Sequence, residues 1–150
     1  MQIGGCMRVN AINYNGINFG KAQGFNRLEA KKQIRETEKL VDKGIAEMYS
    51  EFDKYRGIPF DKTINYTSVS FNVPNKENLI ATLAIQPSVM DDCQKGDFIV
   101  EVQDDESGVI AIQPIISGGR DAIVSFLNDD VNSLRNVTRS VLEIAEDIQE

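Results

Sequence analysis

Apolar positions between Thr63 and Ile116 recur at every second residue in four short runs, whereas before and after this stretch they recur at every third or fourth. A period of two marks a half-buried strand, and alternating steps of three and four mark one face of a helix. The expected fold is therefore α+β: a four-stranded antiparallel meander flanked by two long amphipathic helices, in the order α-β-β-β-β-α.

In the first run, Val69, Phe71 and Val73 share one parity and Ser68, Ser70 and Asn72 the other. Ile64 and Tyr66 have the wrong parity for that face, which predicts a bulge near Thr67 or a first half that uses both faces. Pro74-Asn75-Lys76 supplies turn chemistry, because proline fixes φ and Asn tolerates left-handed backbone. The second run, from about Asn78 to Gln86, sets Leu79, Ala81, Leu83 and Ile85 against Ile80, Thr82, Ala84 and Gln86, and Pro87 ends it. Phe98, Val100 and Val102 point inward from the third run, and Asp104-Asp105-Glu106-Ser107-Gly108 forms a polar hairpin leading to Val109–Ile112 and on to Ile116. Such short connections favour antiparallel neighbours over parallel ones.

The first helix is expected to start at Asn26, an N-cap with Glu29 three residues on, and to close at Gly57 and Pro59. Its seam reads Ile34, Val41, Ile45, Met48, Phe52 and Tyr55. Lys31 and Glu38 fall on the same stripe, so its N-terminal half is weakly apolar and is expected to project into solvent or meet a partner. About 30 residues would span roughly 45 Å, longer than a small sheet needs. The second helix should open after Ser117-Gly118-Gly119-Arg120 and run almost to Glu150, with a seam of Ile123, Leu127, Leu134, Val137, Val141, Ile144 and Ile148 interrupted at Asp130. These narrow stripes resemble the a/d positions of a coiled coil. The candidate helix-pairing interface comprises Ile34, Val41, Ile45, Met48, Phe52, Tyr55, Leu134, Val137, Val141, Ile144 and Ile148, and a homo-oligomer is expected.

At 150 residues the chain suits one domain, placed at 26–150 behind an Asn/Gly-rich tail at 1–25 that has few apolar groups to offset its ordering entropy. That tail is read as flexible, with a strand-adding docking peptide or a specialised export signal around Asn15–Gly20 as alternatives. Met7 is a second candidate for the native start. No apolar run is long enough for a membrane span and no secretory leader is visible, so a cytoplasmic location is expected, with non-classical export as the alternative. Gly4-Gly5-Cys6 faintly resembles a lipoprotein cleavage site without the apolar segment it would need. The triplets at Asn65 and Asn136 are chance glycosylation matches on that reading. Two isolated cysteines argue against a disulfide framework or structural zinc. A net charge of −7 disfavours nucleic-acid and anionic-membrane partners. The charge is unevenly spread: residues up to Arg56 carry ten basic and seven acidic groups, the remainder six and sixteen.

Candidate chemistry is sparse. The absence of histidine removes the commonest general base and metal ligand. Cys93 follows two aspartates, which oppose a reactive thiolate, and one Lys95 compensates little. Asp91, Asp92, Asp104, Asp105 and Glu106 lack EF-hand spacing and read as solvated loops. Ser117–Arg120 ahead of a helix has the elements of an anion site but no P-loop pattern, and a cap with chain reversal is the simpler role. Lys31, Lys32 and Arg35 read as helix-stabilising charges beside Glu36, Glu38 and Asp42. No catalytic, cofactor-binding or metal-binding residue is assigned, and no cofactor is expected.

The leading expectation is a non-enzymatic adaptor or chaperone-like protein that binds a polypeptide on its sheet face or helical groove. The alternative is a small-molecule-binding or catalytic domain with a pocket between sheet and helices, for which polar residues such as Tyr66, Thr82 or Glu101 would have to converge on the inner face. Helix, antiparallel sheet, helix and low pI are shared in general outline with small acidic secretion chaperones; no motif carries that analogy further, and no family is claimed.

Overall fold

The structure, a computed structural model, describes residues 26–58, 67–86 and 96–149. The 1–25 tail with Cys6, the first half of the first predicted strand, Pro59, Pro87 and the 91–95 loop with Cys93 lie outside the described residues.

Helix α1, Arg27–Lys54, begins where the capping pattern places it: Asn26 Oδ1 accepts from the Leu28 and Glu29 backbone N–H groups at 2.8 and 3.3 Å. It ends against a left-handed Gly57. The sheet comprises β1 (Ser68–Asn72), β2 (Leu79–Ile85), β3 (Phe98–Asp104) and β4 (Ile110–Ile116), all antiparallel in the order β1-β2-β3-β4. Pro74-Asn75 is the centre of the first turn, closed by Lys76 N–H on the Val73 carbonyl, and Asn75 takes the positive φ of 66° that a type II turn demands at its third position. β1 and β2 pair in one uninterrupted register. A register shift occurs between β3 and β4, where Phe98 faces Ile116 and Ile99 faces Pro114, while the bulge expected near Thr67 rests on Ile64 and Tyr66, outside the described residues. Pro114 lacks an N–H, and on an edge strand the resulting bulge leaves no central ladder broken.

The second helical segment divides. Helix α2, Arg120–Leu127, and helix α3, Asp130–Gln149, are separated at Asn128–Asp129, in place of the single long helix expected. The cause is local: Asp129 accepts from the Asn132 N–H through Oδ1 at 3.1 Å and from Ser133 N–H through its carbonyl at 2.9 Å, which makes it the cap of a new helix.

All three helices lie on one face of the sheet. Val69, Phe71, Leu79, Ala81, Leu83, Ile85, Phe98, Val100 and Val102 form that face, and the buried stripes of α1, α2 and α3 pack onto it as one core. Gln33 donates to the Pro74 carbonyl at 2.8 Å and Lys76 bridges to Glu146 at 3.2 Å. The start of α1 and the end of α3 thus meet the same turn, and the two helices run antiparallel. α1 spans about 42 Å, beyond the roughly 23 Å of a seven-residue strand. Its N-terminal half nevertheless buries Ala30, Gln33 and Thr37, contrary to the expectation that it projects freely. Small and amide side chains carry this contact, so a count of apolar positions does not register it. Gly44 lets α1 approach the sheet closely: a Cβ there would stand 2.9 Å from Val69 Cγ2 and 3.0 Å from Leu83 Cδ1.

Candidate functional site: the uncovered face of the sheet

Strand parity assigns the opposite face. Ser70, Thr82, Glu101 and Ile112 form one row across all four strands, and Asn72, Ile80, Gln103 and Ile110 form the next. A third row, Ser68, Ala84, Ile99 and Pro114, holds the buried Ile99, and no described helix packs on this face. Ile80 and Ile112 are half-buried, while Ile110 and the adjoining Val109 are each 49% exposed. The face is therefore an apolar strip with a polar row through it.

Within the row, Ser70 Oγ and Thr82 Oγ1 are 2.7 Å apart and satisfy each other. Glu101, on central strand β3, has no hydrogen-bond donor or cation among the described residues. Burial pushes its carboxyl above the ordinary range, because removing water disfavours the charged form and nothing nearby offsets this. An uncompensated carboxylate among isoleucines is a group that a cationic or donor-bearing partner would stabilise. Thr82 and Glu101 thus stand side by side, but on the face away from the helices rather than lining a pocket beneath them. Tyr66 lies outside the described residues. Beneath the helices the sheet is filled by apolar side chains, with Gln113 donating to Ser140 at 3.3 Å as one polar cross-link.

At the hairpin, Asp104 Oδ1 accepts from the Glu106 and Ser107 N–H groups at 2.9 and 3.2 Å, and Gly108 adopts φ 78°. That carboxylate is occupied by its own turn, as ordinary turn chemistry predicts. Among the described residues no group of three or more carboxylate or thiol side chains is arranged to hold a metal ion.

The Ser117–Arg120 segment turns the chain into α2 through Gly118 at φ 129°. The Arg120 guanidinium donates to the Phe52 carbonyl and lies 5.2 Å from the Phe52 ring centroid, so it caps the C-terminus of α1. Its Nη1 has no partner among the described residues. A cavity of about 240 Å³ beside it is lined by Tyr49, Phe52, Arg56, Asp121 and Val124 among others. Arg56 there pairs with Asp53, so the lining presents matched charges and no converging catalytic set.

Of the candidate pairing residues, Val41, Ile45, Met48, Phe52, Val137, Val141 and Ile144 are buried in the chain's own core. Ile34, Tyr55, Leu134 and Ile148 are half-buried at its margins. Any pairing along this seam would have to use those four. The Ser70–Thr82–Glu101 row had a legible signal, a single acid in the otherwise apolar run Phe98–Val102, but its face followed only from register.

The fold and this face define an α+β domain with its helices confined to one side of an antiparallel meander. Comparison of the chain with protein-family models, with curated proteins and with solved structures finds no match. Among the described residues no helix is long and apolar enough to cross a membrane.

Proposed function

We propose that this protein is a non-enzymatic polypeptide-binding domain of adaptor or chaperone type, homo-oligomeric, which receives its partner on the uncovered sheet face. The reading rests on one observation above all: an apolar face with an unpartnered Glu101 at its centre and no described helix over it. Ile80, Ile110 and Ile112 supply apolar contact, and Glu101 offers register to a partner carrying a Lys or Arg. The lack of histidine and the filled inner face favour binding over catalysis.

Site-specific photo-crosslinking in the native host tests this. A photoreactive residue at Ile112 should give discrete polypeptide adducts, and the same residue at exposed Ser125 on α2 should give none. Equal labelling at the two positions would defeat the proposal. A stoichiometric small molecule retained in native mass spectrometry would favour the pocket reading in its place.

A further inference from the structure

The outward side of α1 carries Lys31, Lys32, Arg35, Lys39 and Lys43, all exposed. At about 100° per residue they fall within an arc of roughly 120°, and at the helical rise they extend over about 18 Å. Asp42 is the one acid within the arc. Among the described residues, none of the five cations has a carboxylate within salt-bridge reach, unlike Lys54 with Glu51, Arg56 with Asp53 and Lys76 with Glu146. A ridge with a net of four positive charges is unusual on a chain of net charge −7.

The complementary surface lies at one pole of the same molecule. Leu79 pairs with Asp104 and Lys76 bridges to Glu146, which gathers the β1–β2 turn, the β3–β4 hairpin and the end of α3 at one end of the sheet. Glu77, Asp105, Glu106, Glu146 and Asp147 are exposed there. The last turn of α3 has no basic residue, so its terminal carbonyls add negative potential to the carboxylates. The ridge faces away from the sheet, and among the described residues its cations have no carboxylate in reach.

We infer that the basic ridge of α1 docks on the acidic pole of a second copy of this chain. A two-fold arrangement satisfies both surfaces at once, since each copy presents its ridge to the other's pole. The charge imbalance along the chain, basic up to Arg56 and acidic beyond, then has a use in assembly. This rests on the homo-oligomeric part of the proposed function. It uses a surface distinct from the Ile112 face, so either can fail while the other stands.

Sedimentation velocity on the full chain at about 50 mM and about 500 mM sodium chloride is the primary test, because exposed charge pairs are screened over that range. The expected result is a dimer at low salt whose dissociation constant rises about tenfold or more at high salt. Lys31→Glu/Arg35→Glu/Lys39→Glu and, separately, Asp105→Lys/Glu106→Lys/Asp147→Lys should each be monomeric. An equimolar mixture of the two variants should recover the dimer, since one contact is then restored with reversed sign and the other is the wild-type pair. A monomeric wild type at low salt, a dimer indifferent to salt, or a mixture that stays monomeric would each overturn the inference. Binding of a monomeric wild type to duplex DNA, lost in the ridge variant, would overturn it in favour of a nucleic-acid surface.

Discussion

Replacing Gly44 by Ala sets two effects of opposite sign against each other inside one helix. Ala is favoured over Gly in a helix interior by about 1 kcal/mol, so the substitution would stabilise α1 if nothing faced it. Its Cβ, however, would lie 2.9 Å from Val69 Cγ2 and 3.0 Å from Leu83 Cδ1, well inside the roughly 3.5–4.0 Å optimum between carbon atoms. Leu83 is fully buried at the centre of the core and has little room to yield, whereas Val69 is half-buried on edge strand β1. Overpacking of this kind costs about 1–3 kcal/mol, so Gly44→Ala is expected to lower stability by about 1 kcal/mol net. Urea denaturation should show a lower midpoint with an unchanged slope. Val69→Ala clears one of the two contacts, so a double-mutant cycle should reveal a favourable coupling of about 1 kcal/mol between the two substitutions. If Gly44→Ala were instead more stable than wild type by the full helix-propensity gain, the close approach of α1 to the sheet would be refuted.

Other perturbations follow from individual contacts. Burial raises the Glu101 carboxyl, so the folded state holds its proton more tightly than the unfolded state; stability from this group is greatest at low pH and declines as pH rises through the folded value. Glu101→Gln should therefore melt above wild type near about pH 7, and the gap should close below about pH 4, as read by thermal melts across that range. Asn26→Ala should cost about 1 kcal/mol through loss of the α1 cap, and Asn26→Gly only a few tenths, by chemical denaturation. Thr37 is fully buried with no partner for its hydroxyl among the described residues, so near-isosteric Thr37→Val should stabilise the fold by about 1 kcal/mol in the same assay.

Much of the architecture was legible from the chain alone, for local reasons. Alternation in Leu79–Ile85 and Phe98–Val102 fixed strands and their parity, because side-chain direction in a strand depends only on position. Asn26, Pro74-Asn75 and Gly108 marked a cap and two turns, because each supplies a conformation or acceptor that the backbone needs at that point. The division between α2 and α3 was less legible, since Asp129 can sit in a helix or cap one.

What the tertiary structure alone decided is relational. Periodicity shows that a helix has an apolar stripe but not what covers it, and so could not say that α1, α2 and α3 all settle on one face. That choice uncovers Thr82 and Glu101 together, and burial without a partner then raises the Glu101 carboxyl. Gly44 carries no periodic signal at all; its role arises from two side chains more than twenty residues away in sequence. Pairing and periodicity are properties of neighbours along the chain, whereas an uncovered face and a close approach exist only once distant elements have packed.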